Sequence, residues 1–239
     1  MTQRWLILDF CAPLMAFGGV AIDHVGPTRD FPAASMLTGL FGNALGWHWS
    51  DWQAHQSLQD RLVFAARMDV EGRLITDNQN ARLYESEPGW TTYGIPETRN
   101  KGSSYNAKDE THRNYITHRR RRDFLADARV AVVLRLTDAD LSPTLDHLAA
   151  ALNRPARPLF IGRKPCLPTR PLFAGWTTAD TAHAALSETG QPQARAQWPD
   201  GEGPTGDTTL HLSDLRNWRS GLHGGNRLVI QGRIPGAGT

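Results

Sequence analysis

Apolar positions along this chain fall into two periods, separated by one long stretch that has neither. Residues 4–10, RWLILDF, form a continuous apolar run ending at Cys11-Ala12-Pro13, the pattern of a mostly buried strand. A loop-like segment with Pro13, Gly18, Gly19, Gly26 and Pro27 follows. Then Met36, Leu37, Leu40, Phe41, Ala44 and Leu45 recur at the spacing of one helix face, with Pro32 on the approach and Gly46 at the end. Residues 62–70, LVFAARMDV, and 73–85, RLITDNQNARLYE, predict strands on either side of a turn at Glu71-Gly72.

From residue 86 to 123 the apolar signal almost vanishes, and Pro88, Gly89, Pro96 and Gly102 interrupt what remains. An excursion of that length is too long for an ordinary connection and reads as functional or mobile. Regular structure resumes at DARVAVVLRL, a central strand by its unbroken Val, Ala and Leu content. A helix is expected after it, with Ser142 as N-cap, Pro143 in the first turn, Leu145, Leu148, Ala149 and Leu152 on its apolar face, and Asn153 and Pro155 at its end. The order strand, helix, two strands, excursion, strand, helix lies near the β-α-β-β-α-β plan. Beyond residue 154 the periodicity weakens. Residues 187–208 read as a polar, Gly/Pro-rich loop, NRLVIQGRI as a last strand, and PGAGT as a tail.

Composition changes this picture in one respect. At 40% apolar and 21% charged residues a packed core is expected, and a formal charge of +2 over 239 residues points to no partner by itself. Yet Arg99 to Arg122 hold eight Lys/Arg and two acids, so the rest of the chain is net acidic. Positive charge concentrated in one short segment points to a localised anionic partner. The apolar run at the N-terminus is too short for a membrane span and lacks the order of a signal peptide, so a cytoplasmic chain is expected.

The motifs exclude more than they assign. Cys11 and Cys166 form no CxxC pair, and the histidines include no HExxH, so neither a metal nor another cofactor is expected. GLFGNALG puts Gly39, Gly42 and Gly46 on the first helix. That is neither a Walker loop nor a dinucleotide fingerprint, and it leaves tight packing or close approach of a ligand open. No GxSxG occurs. ETHRNYITHRRRRDF, residues 110–124, admits three readings. His112, Tyr115, His118 and Lys108 have the chemistry of a metal-independent ribonuclease. Arginine forks with Trp90, Tyr93, Tyr105 and Tyr115, and with Asn106 and Asn114, suit phosphates and unpaired bases of single-stranded RNA. A solvated charged face is the third reading. A second basic cluster, Arg157, Arg163, Lys164 and Arg170, sits among prolines and is read as either a rigid surface loop or a contact with RNA or protein.

WLILDFCAPLMAFGG, followed by GPTRDFPAASMLTGLFGNALG, resembles the N-terminal signature of the Cas-five family of CRISPR-associated proteins. The run from Pro13 to Gly18 matches the family's loop, and Thr28 to Pro32 with Ser35 match the approach to its helix. HRRRRDFLADARVAVVL and PLFIGRKPCLPTRPLF resemble the type I-E branch, and the resemblance extends to about residue 175. It implies an α+β fold. A ferredoxin-like (RRM-type) RNA-binding domain would span 1–85 and 119–153, a protruding β-hairpin thumb 86–118, and a small C-terminal β-rich domain 154–239. It further implies a non-catalytic subunit of a Cascade complex in antiviral defence. Such a subunit holds the 5′ handle of the crRNA, contacts the backbone subunit and the large subunit, and meets target DNA only through the guide. Handle contacts are expected from Arg29 and Ser35, and thumb contacts from Arg99, Lys101, Tyr105, Lys108, His112, Arg113 and His118. Further RNA contacts are expected from Arg119, Arg120, Arg122, Arg163 and Lys164. In the type I-C branch the family member itself cuts precursor crRNA with Tyr, Lys and His, which keeps the endoribonuclease alternative open.

Overall fold

The structure, a computed structural model, describes residues 2–84, 89–90, 96–97, 107–108, 110–111, 113–190 and 193–234. At 89–90, 96–97, 107–108, 114 and 116 it describes the backbone alone. In chain order the elements are β1 (Gln3–Cys11), β2 (Leu14–Met15), β3 (Val25–Gly26), α1 (Ala34–Leu45), α2 (Trp52–Arg61), β4 (Leu62–Val70), β5 (Arg73–Tyr84), β6 (Gly89–Trp90), β7 (Pro96–Glu97), β8 (Ala107–Lys108) and β9 (Asn114–Ala126). After these come β10 (Arg129–Leu136), α3 (Leu145–Asn153), β11 (Phe173–Ala179), α4 (Ala182–Ser187), β12 (Ala194–Pro199), β13 (Thr208–Arg216) and β14 (His223–Ile234).

A seven-stranded sheet in the order β11-β1-β10-β4-β12-β14-β13 forms the body, and every pairing in it is antiparallel. Its central strands are apolar on both faces, which explains their unbroken Val, Leu and Ala runs. Leu6, Leu8, Phe10, Phe64, Ala66, Met68, Val130, Val132 and Leu134 face α1 and α3, where they meet Leu37, Phe41, Leu148 and Leu152. Trp5, Ala65, Ala131 and Val133 face the other way, onto α4 and the side chains of Trp198, Ile230 and Ile234. Each fully buried large apolar side chain contributes about 1.5–3 kcal/mol. The stretch expected to be a small C-terminal β-rich domain supplies β11 at one edge of this sheet and β12, β14 and β13 at the other.

The expected strands over 4–10, 62–70 and 73–85, the central strand and the first helix all occur within a residue or two. Two readings need correction, and one helix was not read at all. Residues 52–61 form a helix that periodicity does not announce, because its buried face is largely polar. The His55 ring is stacked on Trp218 (centroids 4.6 Å) and lies edge-on to Trp47 (5.2 Å), while the Gln59 amide bonds the backbone of Arg216. That ring also accounts for Gly42, where a Cβ would stand 2.5 Å from His55 Nε2, so packing explains this glycine. The cap of α3 is Thr144, not Ser142: Thr144 and His147 exchange capping-box bonds, while Arg61 binds the carbonyls of Leu141 (2.7 Å) and Pro143 (2.8 Å) in the preceding turn. Finally, residues 194–199, read as loop, form β12, because β4 and β14 offer it an edge on either side.

Two remote polar contacts fix the helices. Ala33 stands at the N-cap of α1, and its methyl side chain offers no acceptor to the first turn. The Ala34 N–H instead donates to Asp214 Oδ2 from β13 (3.0 Å), a carboxylate held by Arg227 (2.9 Å). Arg67 on β4 is 1% exposed. Its guanidinium bonds Asp69 Oδ1 (2.6 Å) and the Leu186 carbonyl (2.6 Å) at the end of α4. No helix among the described residues is long and apolar enough to cross a membrane. Replacing Arg67 with alanine strands the buried Asp69 carboxylate in a dry site. The expected cost is about 3–5 kcal/mol, read as an earlier midpoint in urea unfolding.

Candidate nucleic-acid interface

β5 and β9 form a second, smaller sheet that leaves the body. Their antiparallel register runs from Arg73↔Ala126 to Tyr84↔Tyr115. Twelve pairs at about 3.3 Å per residue make a ribbon roughly 40 Å long. Only its root is buried, at Phe124, Leu125 and Ala126, and β5 is exposed along most of its length. The thumb boundary expected at 118 falls inside this ladder, where His118 pairs with Ala81, so the ribbon takes in residues read as part of the body; the boundary expected at 86 lies outside the described residues.

The root is held on β9's second edge by the glycine-rich loop. Leu14 and Met15 pair with Ala126 and Leu125, and Val25 and Gly26 run parallel to Arg121 and Arg122. Gly26 leaves room there for the Arg122 side chain, whose guanidinium a Cβ would overlap. Arg163 reaches in from the proline-rich segment. Its Nη1 donates to the Asp123 carbonyl (2.8 Å), its Nη2 to the Gly26 carbonyl (2.7 Å), and its guanidinium covers the Phe124 ring at 4.9 Å. Burial first, and then Arg122 beside it, lower the Arg163 pKa from the ordinary guanidinium value. Arg163, expected to touch RNA, has its hydrogen bonds turned inward and acts as a clamp on the loop. Lys164 next to it is exposed.

Over 73–84 and 113–126 the ribbon carries seven arginines and two aspartates. Arg119, Arg120, Arg121 and Arg122 are consecutive on a strand, so they alternate between its faces. One face groups Arg119 and Arg121 with Asn80 and Asn78 opposite them. The other groups Arg120 and Arg122 with Gln79 and Asp77. None of the four forms an ion pair among the described residues, and three of them are exposed. At the far end of the described ladder Tyr84 and Tyr115 meet edge to face (5.8 Å). Arg113 lies over Tyr84 (4.5 Å) and Arg82 over Tyr115 (4.9 Å). Tyr84 and Arg82 escaped the sequence reading, because only the register with β9 reveals their place.

The remaining expected residues divide. Arg99, Lys101, Tyr105 and His112 lie outside the described residues, as do Tyr93 and Asn106. Lys108 is placed by its backbone, pairing with Asn114. His118 is exposed on the face of β9 opposite Tyr115, so these two do not converge as a catalytic pair. Among the described residues no group of three or more His, Cys, Asp or Glu is arranged to hold a metal. Ser35 lies half-buried in the first turn of α1. Arg29 donates from Nη2 to the Ser213 carbonyl (2.6 Å), which joins the loop to β13.

Arg195 on β12 ties the two approaches together. It forks onto Glu71 at the turn into β5 (2.8 and 2.5 Å) and reaches Asp30 on the glycine-rich loop (2.8 Å). The Arg195 hydrogen bond holds the Glu71 carboxyl below its ordinary pKa. A depressed folded pKa contributes stability above the unfolded value and loses it as pH falls through the folded one. The Glu71→Gln chain is therefore expected to melt below the unaltered chain at about pH 7, and the gap is expected to close in acid. Melting curves across a pH series check both.

Comparison with known proteins agrees with this geometry. The family model described as CRISPR-associated protein (Cas_Cas5) matches residues 5–230. The CRISPR system Cascade subunit CasD of Escherichia coli (strain K12) is 30% identical over 184 residues, covering 77% of this chain and 76% of that protein. A solved CRISPR RNA-guided surveillance complex contains a chain of similar fold, with TM-score 0.66 and 18% identity over 97% of this chain and 90% of that one. A solved Cas protein has TM-score 0.61 and 22% identity, covering 97% of this chain and 95% of the other.

Proposed function

The chain belongs to the Cas-five family of CRISPR-associated proteins, and from that premise we propose that it is a non-catalytic RNA-binding subunit of a Cascade-type surveillance complex. In this reading it holds the 5′ handle of the crRNA, contacts the backbone and large subunits, and meets target DNA through the guide. The observation that carries the reading is the row Arg119 to Arg122, four guanidiniums that form no ion pair among the described residues, on both faces of a projecting ribbon. Such a row repels itself unless an anion lies along it, and RNA phosphates match the forked geometry of arginine. Tyr84 and Tyr115 add faces on which unpaired bases stack.

The body supports the ferredoxin-like part of the reading. Its four strands β1, β4, β10 and β11 with α1 and α3 follow β-α-β-β-α-β, side by side as β11-β1-β10-β4. RRM domains bind RNA on the open sheet face through aromatic side chains. Here the face opposite α1 and α3 is covered by α4 and contains Trp5, 0% exposed. RNA is therefore left to the ribbon, acting as the thumb, and to the glycine-rich loop at its root. Arg163 and Arg195 then position these elements, and Arg119 to Arg122 contact the nucleic acid.

Changing all four arginines to alanine is expected to weaken single-stranded RNA binding and to lower the magnitude of the slope of log K against log salt by up to about 3, at roughly 0.7 for each phosphate that an arginine neutralises. An unchanged slope would place the RNA elsewhere. The endoribonuclease alternative has a separate test, in which the pure chain is incubated with CRISPR repeat RNA in EDTA. Intact RNA is expected. Cleavage that disappears with His118→Ala would replace this proposal.

A further inference from the structure

Beneath the loop entering α1, the sheet holds a cavity of about 160 Å³ lined by Arg29, Asp30, Phe31, Gln197, Leu212 and Gln231. Its floor is a cross-strand pair. Gln197 on β12 and Gln231 on β14 are register partners, so both side chains leave the sheet on one face. Gln197 is only 7% exposed. Neither carboxamide is hydrogen-bonded to another described residue. Gln231 is half-buried, and the two amides open onto the same small space.

The chemistry of the lining narrows the ligand. A carboxamide offers an N–H donor beside a C=O acceptor in one plane, the complement of a nucleobase edge; glutamine makes this forked contact with N6 and N7 of adenine. Arg29 uses Nη2 on the Ser213 carbonyl and keeps further N–H groups for an anion. The nearby carboxylate of Asp30 is neutralised by Arg195 (2.8 Å). The volume is below the roughly 300–1,000 Å³ of pockets for drug-sized ligands, and it suits a single base. Arg195 also grips Glu71 at the ribbon root, so the cavity lies beside the path that RNA would take onto the ribbon.

We propose that this cavity is a subsite for one nucleobase of the bound RNA, adenine fitting it best, with the base edge on Gln197 and Gln231 and its phosphate at Arg29. The proposal rests on the RNA-binding reading above and adds a base-recognition site outside the ribbon. It is tested on the 15N-labelled full chain by following the side-chain NH2 resonances of Gln197 and Gln231, identified with Gln197→Met and Gln231→Leu. Adenosine 5′-monophosphate is expected to shift both resonances, and ribose 5-phosphate neither. In Gln197→Met, with circular dichroism unchanged, the Gln231 response to the nucleotide is expected to fall by about half or more, since one of the two carboxamides that hold the base edge is gone. If adenosine monophosphate moves neither resonance in the unaltered chain, or moves them no further than ribose 5-phosphate does, the cavity is not a base site. Failure of the wider RNA reading shows separately, as absence of single-stranded RNA binding by the same unaltered chain in the salt series.

Discussion

β9 is hydrogen-bonded along both edges near its C-terminal end, and the projecting ribbon depends on that short stretch. A two-stranded ribbon has no core of its own and is marginal in water. Here one edge of β9 carries β5 and the other carries Leu14, Met15, Val25 and Gly26. Arg163 closes the junction through the carbonyls of Asp123 and Gly26, and the apolar anchor is Phe124, Leu125 and Ala126. Moving the root would move every arginine beyond it. The glycine-rich loop is thus the outer strand of the ribbon's foundation as well as a candidate surface for RNA.

Arginine serves two opposite purposes in this chain. Arg61, Arg67 and Arg163 bind backbone carbonyls inside the molecule, where a fork with several donors can hold turns and helix ends. Arg119, Arg120 and Arg121 stand in solvent on a strand. Both uses have the same one-letter code and similar neighbours in sequence. What separates them is whether the side chain starts from a position enclosed by a second segment, as Arg163 is by the loop and Phe124.

The covered sheet is the reason the proposed RNA contacts are placed at the periphery. α4 and the strands after it bury the sheet face opposite α1 and α3, which stabilises the body. The same extension creates the Gln197–Gln231 floor under the loop at Arg29. One addition to the fold therefore closes one surface and builds another, beside the ribbon rather than on the sheet.

Local pattern determined much of this protein. The apolar runs of β1, β4 and β10, the stripe on α1 with Gly46 at its end, and the concentration of charge between Arg99 and Arg122 are all carried by neighbours within a few residues, and so are legible without a structure. Helix α2 and strand β12 were not, because one buries His55 and Gln59 against Trp218 and Arg216, and the other exists only between β4 and β14. The facing of Tyr84 with Tyr115, the inward turn of Arg163 and the pairing of Gln197 with Gln231 likewise depend on registers between segments distant in sequence. Sequence thus determined the strands and helices that carry an apolar pattern of their own, and where the positive charge lies. Only tertiary structure decided which side chains share a face, because register and burial are properties of two segments together and neither segment encodes them alone.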